Sequence, residues 1–543
     1  PPAAWATPTA AAANAAGADP ACWKCRGTGV LRKKRGRGGK GKEDEPRPCP
    51  RCTSERKRKA ELEEADRRAR TARANFRVGI VGAGIGGCAT ALALRRLGYQ
   101  VVVLERDGDF EERKQGYGLT LQQGFNSMKF LGLEIPNDTP STSHFAFAQD
   151  GRILGYFGSE FSPYFAEGAD YSRKKKGKFN GGGRFNMHIP RQHLRHMLLT
   201  AYEKEPGATP VCWGARLERA VRVPGSAKVD LVLADGESKR VDLVVAADGI
   251  FSTVREQVLG DPLQFLNCVV VLGIAPLRHP LTHKRVCETM DGETRIYTMP
   301  FTSAASTDIH SDPALASKDS IMWQLSFPVA SEEEAREVSR SPETLKAEAL
   351  RRCGSWHAPI PELLQATSTS LLSGHPVYDR PETEPDLLEE ALRNTGLGDG
   401  VALMLGDSAH CMTPFKGQGA NQALLDAVDL AKTMARPEFV ENPLDRASLI
   451  SAVQRRCLER SASKVRGSRE AARLLHTPAA CDAGPDHDPL VEAGVSACTP
   501  ENLNERVVQV CGYGHRPHQL HEEKILASRS EPPPGPQAAS TST

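Results

Sequence analysis

The chain lacks an excess of charge of either sign: across 543 residues, 70 Lys and Arg stand against 67 Asp and Glu, a formal +3. A total so near neutral argues against wholesale nucleic-acid binding, although one basic patch can hide inside it. It also lacks an uninterrupted apolar run long enough to span a bilayer. The most apolar stretch, Val78 to Leu97, is broken by five glycines and ends in Arg95-Arg96, which suits a strand and a helix. Internal repeats are absent. The 14 cysteines form no dense framework, and most, such as Cys88, Cys268 and Cys353, occur singly. Buried thiols in a reducing, cytoplasmic setting are expected, not a secreted disulfide scaffold. The opening Pro1-Pro2 carries no Met, so we expect the natural N-terminus to lie upstream. The Ala-rich start has neither the apolar centre of a signal peptide nor the Arg content of a mitochondrial one, and a lost targeting peptide stays an open alternative.

Composition divides what is present. Residues 1–20 are rich in Ala and Pro and are expected to be disordered. Residues 21–53 hold two CxxC pairs around a basic, Gly-rich loop, and residues 54–75 read as a solvated, charged helical linker. From 76 to 476, β-branched runs alternate with amphipathic stretches, the rhythm of a large α/β enzyme. Residues 477–543 lose periodicity and read as a disordered tail.

The segment from Phe76 to Asp107 is the most informative. Val78 to Val81 is a buried strand, followed at once by Gly82-x-Gly84-x-x-Gly87, a helix to Leu97 and a second strand, Val101 to Leu104, ending at Glu105. Gly82 permits the tight turn, Gly84 lets backbone approach a pyrophosphate, and Gly87 lets the helix lie close on the sheet. The helix N-terminus supplies free N–H groups and partial positive charge to the phosphates. Glu105, with Arg106 beside it, is the candidate group at the adenosine end. Its carboxylate accepts ribose hydroxyls and repels a 2′-phosphate, so the site suits FAD or NAD over NADP.

Two later segments decide between these. In residues 242–255 a strand runs into Asp248-Gly249, and in 401–426 another runs into Gly406-Asp407, then Pro414 and the Gly417-Gln418-Gly419 turn that opens a helix. Each presents a carboxylate beside glycine at a strand's C-terminal end, where open α/β sheets bind ligands. Asp407 is placed to accept a ribityl hydroxyl. Gly417 and Gly419 offer bare N–H groups where a reduced flavin carries negative charge.

Over about residues 76–476, these three motifs in this order resemble the flavoprotein aromatic hydroxylases, single-component monooxygenases of the p-hydroxybenzoate and salicylate hydroxylase type. The resemblance implies that Gly82, Gly84, Gly87 and Glu105 hold the ADP half of FAD. Asp248 would serve FAD and a passing NAD(P)H. Gly406-Asp407 would hold the ribityl chain, and Pro414, Gly417, Gly419 and Asn421 would lie against the isoalloxazine. Arg191, in the segment 188–199, matches an arginine that the family places near the phosphates. Taken by itself it reads equally as a first-turn surface arginine. The implied chemistry is NAD(P)H-driven reduction of FAD, then transfer of one oxygen atom from a flavin C4a-hydroperoxide to a small, aromatic substrate. No second GxGxxG follows a strand, which agrees with a nicotinamide that visits and leaves. There are departures: residues 171–183 and 381–399 look inserted, and Ser408 stands where Ala is usual. A halogenase is disfavoured, since no WxWxIP-like segment surrounds any of the five tryptophans.

The expected fold is α/β. A Rossmann-like, three-layer ββα FAD-binding domain (76–150, 185–265 and 395–440) is interleaved with a mainly antiparallel substrate domain (151–184 and 266–394), and C-terminal helices follow (441–476). Alternation in Ile321 to Phe327 puts Trp323, Leu325 and Phe327 on one face and Met322, Gln324 and Ser326 on the other. The second face is expected to look at the flavin. Gln324 then reads either as a substrate contact or as an ordinary sheet-face polar residue. Arg295 reads either as an anchor for a substrate carboxylate or as half of a surface salt bridge. His410 reads as structural, and Tyr378-Asp379-Arg380 as an ion pair at the domain junction. No catalytic acid–base residue is proposed.

Cys22-x-x-Cys25 and Cys49-x-x-Cys52, about 23 residues apart, have near zinc-ribbon spacing, and four thiolates would close a structural zinc site. The first pair also resembles a half-repeat of the DnaJ-like Cys-rich region. A redox or unstructured pair is the alternative reading. The basic loop between them is a candidate contact for nucleic acid or an acidic protein. That leaves a rival function, a non-catalytic or redox-sensing flavoprotein adaptor.

Overall fold

Arg77-Val-Gly-Ile-Val81 is apolar on both sides of its backbone, so both sheet faces beside it must be covered. The computed structural model describes residues 67–112, 117–135, 140–151, 153–158, 186–302 and 320–481, plus positions 30–31, 47–49, 51–52, 57 and 64. Along the chain, β1 (Arg77–Val81), α1 (Ile85–Arg96) and β2 (Gln100–Leu104) form the opening unit. After them come β3 (Ser143–Ala148), α2 (Arg191–Glu203), β4 (Leu243–Ala246) and β5 (Gln264–Ala275). Next are β6 (Arg285–Met290), β7 (Arg295–Phe301), β8 (Ser320–Pro328) and β9 (Leu372–Asp379). The chain closes with β10 (Ala402–Met404), α3 (Gly419–Met434) and α4 (Pro443–Leu474).

Strands β10, β4, β1 and β2 make a four-stranded parallel sheet in that order. One face packs against α1, α2 and α3 through Leu92, Leu94, Leu194, Leu198, Leu424 and Leu430. The other meets a small antiparallel sheet (217–222, 229–233, 238–241) through Leu231, Val241 and Val244. Gly79 sits under that second layer, where a Cβ would lie 2.6 Å from Leu231 Cδ1. These are the three layers expected of the FAD-binding half.

Strands β9, β5, β8, β7, β6 and β3, with residues 153–158, form a seven-stranded sheet, antiparallel except for β6 against β3. Its outer face buries Trp323, Leu325 and Phe327 under helices of residues 332–366. Since β3 belongs here, the boundary expected at residue 150 falls earlier: His144, Phe145 and Phe147 serve the substrate sheet. Its alternation is hidden, because all six residues of β3 are buried.

Two other expectations shift. The charged helix is helical over 67–74, yet Ala69 and Arg73 are buried and Arg73 donates to the Ala435 carbonyl, so its end is docked and not fully solvated. Beyond residue 476, Ala480 and Cys481 still pack into a core beside Phe415; residues 482–543 lie outside the described residues. So do residues 1–20 and 171–183, and Cys22 and Cys25 of the zinc reading. Val30–Leu31 pairs with Arg47–Pro48, and Cys49 and Cys52 are buried. Among the described residues, however, no group of three or more His, Cys, Asp or Glu is placed to hold a metal, so the zinc ribbon has no support here. Nor is any described helix long and apolar enough to cross a membrane.

Candidate active site

A cavity of about 800 Å³ opens where the strand ends of the parallel sheet face the inner side of the seven-stranded sheet. Gly84, Ile85, Gly86, Arg106, Arg191, Asp248, Gly406, Asp407, Pro414, Gly417 and Gly419 line one part of it. Val270, Leu272, Tyr297, Met299, Met322 and Gln324 line the other. Thus the segments singled out along the sequence converge from positions more than 300 residues apart.

Space and unmet polarity at the first part fit a bound dinucleotide. An added Cβ at Gly84 would meet nothing within 4 Å, whereas at Gly82 it would lie 2.4 Å from the Ala247 carbonyl oxygen. Gly84 thus faces open space at the cavity wall, whereas Gly82 and Gly87 are bare for packing. Helices α1 and α3 both start without a side-chain cap and without an acidic residue in the first turn, leaving N–H groups and positive dipole ends facing the cavity. Asp248 Oδ2 accepts from Thr253 N at 2.8 Å, while its buried Oδ1 has no protein partner among the described residues. Asp407 is open to the cavity but ringed by protein. Desolvation raises its carboxyl above the ordinary range, against the pull of His410 and Arg191. Donors and acceptors of this kind fit the phosphates and hydroxyls of a dinucleotide such as FAD.

Two predicted residues are engaged by the protein itself. Glu105 accepts from Ala83 N at 2.7 Å and Asp107 N at 3.1 Å, so its carboxylate staples the Gly-rich turn with acceptor capacity to spare. Asn421 is turned away from the cavity. Its Oδ1 accepts from Gln122 N and Gly124 N, both at 2.9 Å, and its Nδ2 donates to the Thr120 and Gly417 carbonyls. Its side chain ties residues 120–124 to the start of α3, and has no hydrogen bond left to offer a flavin.

Reading along the chain missed several groups. Arg195, one turn after Arg191, donates from Nε to the Ala83 carbonyl at 2.8 Å and braces the Gly-rich turn. Its spacing from Arg191 on one helix face was the available signal. Asp426 is fully buried under the Gly406-Asp407 turn: Oδ2 accepts from Gly406 N at 2.8 Å and His410 Nε2 at 2.7 Å, and Oδ1 takes Arg460. His410 is thus structural, as expected. Ser408, the departure from Ala, reaches the Ala246 and Leu405 carbonyls at 2.8 and 2.7 Å. Asp379 pairs with Arg469 and Arg380 with Asp261, two ion pairs where one was expected.

On the substrate side, Trp323 and its alternate neighbours face the helices while Met322 and Gln324 face the cavity, and Gln324 lies between Tyr297 and Leu272 across the sheet. Arg295 lines the cavity too, but as half of a salt bridge: its Nε donates to Glu288 Oε2 at 2.9 Å. A salt bridge is present, but it is buried and not at the surface as the sequence reading had it.

The fold and site together define a flavin-dependent oxidoreductase. Residues 75–362 and 389–460 match the family model described as "FAD binding domain", and the chain belongs to that family. It is an FAD-dependent monooxygenase. It is 29% identical over 361 residues, 66% of this chain and 80% of the other, to "Aurachin C monooxygenase/isomerase" of Stigmatella aurantiaca. Among solved structures, it shares the fold of 2,6-dihydroxypyridine-3-hydroxylase from Arthrobacter nicotinovorans, with a TM-score of 0.57 and 18% identity over 76% of this chain and 95% of that one. Klebsiella pneumoniae HpxO, solved with FAD and uric acid, matches with a TM-score of 0.57 and 19% identity over 84% of this chain and 96% of its own.

Proposed function

We propose that the chain hydroxylates a small aromatic compound, using NAD(P)H as electron donor and dioxygen as oxygen source. The carrying observation is that one cavity joins the dinucleotide half to a sheet face where Val270, Leu272, Met299 and Met322 surround an inward amide, Gln324. When bound, FAD supplies the electron transfer and oxygen activation that no side chain offers. The chain's own residues bind and orient. The Gly84–Gly86 backbone and the α1 N-terminus take the pyrophosphate, Glu105 the adenosine ribose, and Asp407 a ribityl hydroxyl. Arg106 and Arg191 face the phosphates, and Asp248 serves the visiting nicotinamide. Val270, Leu272, Met299 and Met322 exclude water and stack on a ring, while Gln324 hydrogen-bonds a ring substituent.

FAD-loaded protein should consume NAD(P)H faster in the presence of some phenol or N-heteroaromatic compound, and should place one atom of labelled dioxygen in the product. A broad set of such compounds with neither stimulation nor label incorporation would defeat this reading.

Gly417 provides a second check. Its backbone is left-handed, φ +59°, with open space toward the cavity. Gly417→Val would strain that turn by about 1–3 kcal/mol and displace the start of α3 from a reduced flavin's negative charge. FAD should remain bound, with a lower reduction potential and reduction by NAD(P)H slowed on the order of 10²-fold. An unchanged potential at full FAD occupancy would remove this turn from the flavin's surroundings.

A further inference from the structure

The substrate half of the cavity carries a charge arrangement that bears on what it admits. Glu288 on β6 and Arg295 on β7 sit diagonally across neighbouring strands, with Glu288 opposite Tyr297 and Met290 opposite Arg295. Their side chains are 3% and 2% exposed, so the 2.9 Å pair is shielded from water while still forming cavity wall. His144 Nε2 stands 3.0 Å from the second carboxylate oxygen. The guanidinium is flanked by two rings, 5.2 Å from the centroid of Tyr297 and 5.6 Å from that of Phe415. Burial by itself would push Glu288 upward, but Arg295 and His144 more than reverse this and hold it well below the usual carboxylate range. It is therefore an anion at neutral pH.

The other charged groups of the wall lie elsewhere. Arg106, Arg191, Asp248 and Asp407 belong to the cofactor end, Arg336 pairs with Glu332, and Lys416 lies against α4 at Gly467.

We propose that the Glu288–Arg295 pair makes this pocket selective for neutral ring compounds over the corresponding carboxylates. Arg295 is the cationic side chain on this sheet face, and with its Nε donated to Glu288 its charge is already balanced by that carboxylate. An anion brought beside the pair sheds its hydration and finds no uncompensated positive charge in return, because Arg295 is already neutralised by Glu288. A neutral ring meets Tyr297, Met299 and Leu272. A phenolic O–H or ring N–H has the remaining lone pairs of Glu288 and the amide of Gln324 within the same wall. The unreturned cost of burying the wrong ligand's charge, not extra attraction for the right one, sets the preference.

This inference rests on the proposed aromatic substrate, and matched probes separate the two. Phenol against 4-hydroxybenzoate, and 4-hydroxyquinoline against its 2-carboxylate, would be titrated into FAD-loaded protein and followed by flavin absorbance. The neutral member of each pair should bind at least about tenfold more tightly. Glu288→Gln leaves Arg295 uncompensated and should narrow or invert that ratio, the carboxylate gaining about tenfold or more. Arg295→Gln leaves Glu288 uncompensated and should widen it, so the two variants move in opposite directions and either serves if the other fails to hold FAD. Equal or tighter binding of the carboxylates by the unmodified protein would overturn the inference and leave the monooxygenase reading standing. A ratio that does not move in a variant retaining FAD would equally overturn it. If no ring compound of either kind perturbs the flavin, the aromatic-substrate reading fails and the inference falls with it.

Discussion

Gly87→Ala should strip FAD from the protein, raising its dissociation constant at least about 100-fold, or some 2.7 kcal/mol. A Cβ at that position would lie 1.9 Å from the carbonyl oxygen of Gly82 and 3.1 Å from its carbonyl carbon, both backbone atoms with no rotamer to change. The Gly82 turn cannot yield easily. Its N–H donates to the Leu104 carbonyl at 2.7 Å, and Glu105 holds the next N–H. Helix α1 must therefore move away from β1, which costs packing and carries its N-terminal N–H groups off the pyrophosphate position. Gly84→Ala is the control, because its methyl enters open space. That variant should keep the thermal midpoint of the FAD-free protein and still bind FAD about tenfold more weakly, since the methyl stands where the pyrophosphate approaches. Wild-type FAD affinity in Gly84→Ala would show that the dinucleotide does not pass over this turn.

Asp426→Ala should destabilise the protein by about 3–5 kcal/mol, the usual consequence of removing one member of a buried charged group. It would leave His410, Arg460 and the Gly406 N–H without their common acceptor under the turn that presents Asp407. Burial disfavours charge on both members of the pair. Even so, His410 and Arg460 hold the Asp426 carboxyl below its ordinary value, and Asp426 raises His410 above its own. The signs set a window. The contribution of Asp426 is present above the ordinary Asp pKa and is lost as pH falls through the depressed one. That of His410 is complete below the ordinary His pKa and is lost as pH rises through the raised one. Their joint stabilisation is therefore fullest between about pH 4 and about pH 6.5 and declines on the alkaline side. Chemical denaturation across pH should show a difference between wild type and Asp426→Ala that is largest in this window. A difference that does not vary with pH would mean that the pair is not charged in the folded protein.

The local chemistry of the cofactor half was legible because it depends on near neighbours. Gly82, Gly84 and Gly87 with Glu105 belong to one β-α-β unit, whose turn geometry restricts residue types over about 25 positions. Gly406-Asp407 and Gly417-Gly419 are likewise short turns between regular elements. The alternation of residues 321–327 was enough to put Trp323 on one face of the strand and Gln324 on the other, since side chains in a strand alternate by necessity. The direction of the Asn421 amide was not legible, because its neighbours in sequence face the cavity while it turns back to residues 120–124, and rotation about a helix start is not visible in the order of residues.

What the sequence by itself determined is the cofactor class, the FAD-binding half and the inward face of β8, each a matter of spacing along a few turns of backbone. What only the tertiary structure decided is the company each side chain keeps. It moved β3 and His144 into the substrate sheet, placed Asp426 beneath Gly406, and set Glu288 against Arg295. An arginine's charge is evident from its name, but whether it is available depends on which carboxylate the fold buries beside it. Burial multiplies the strength of that pairing, and strand register, which no local pattern specifies for β6 against β7, decides whether it forms.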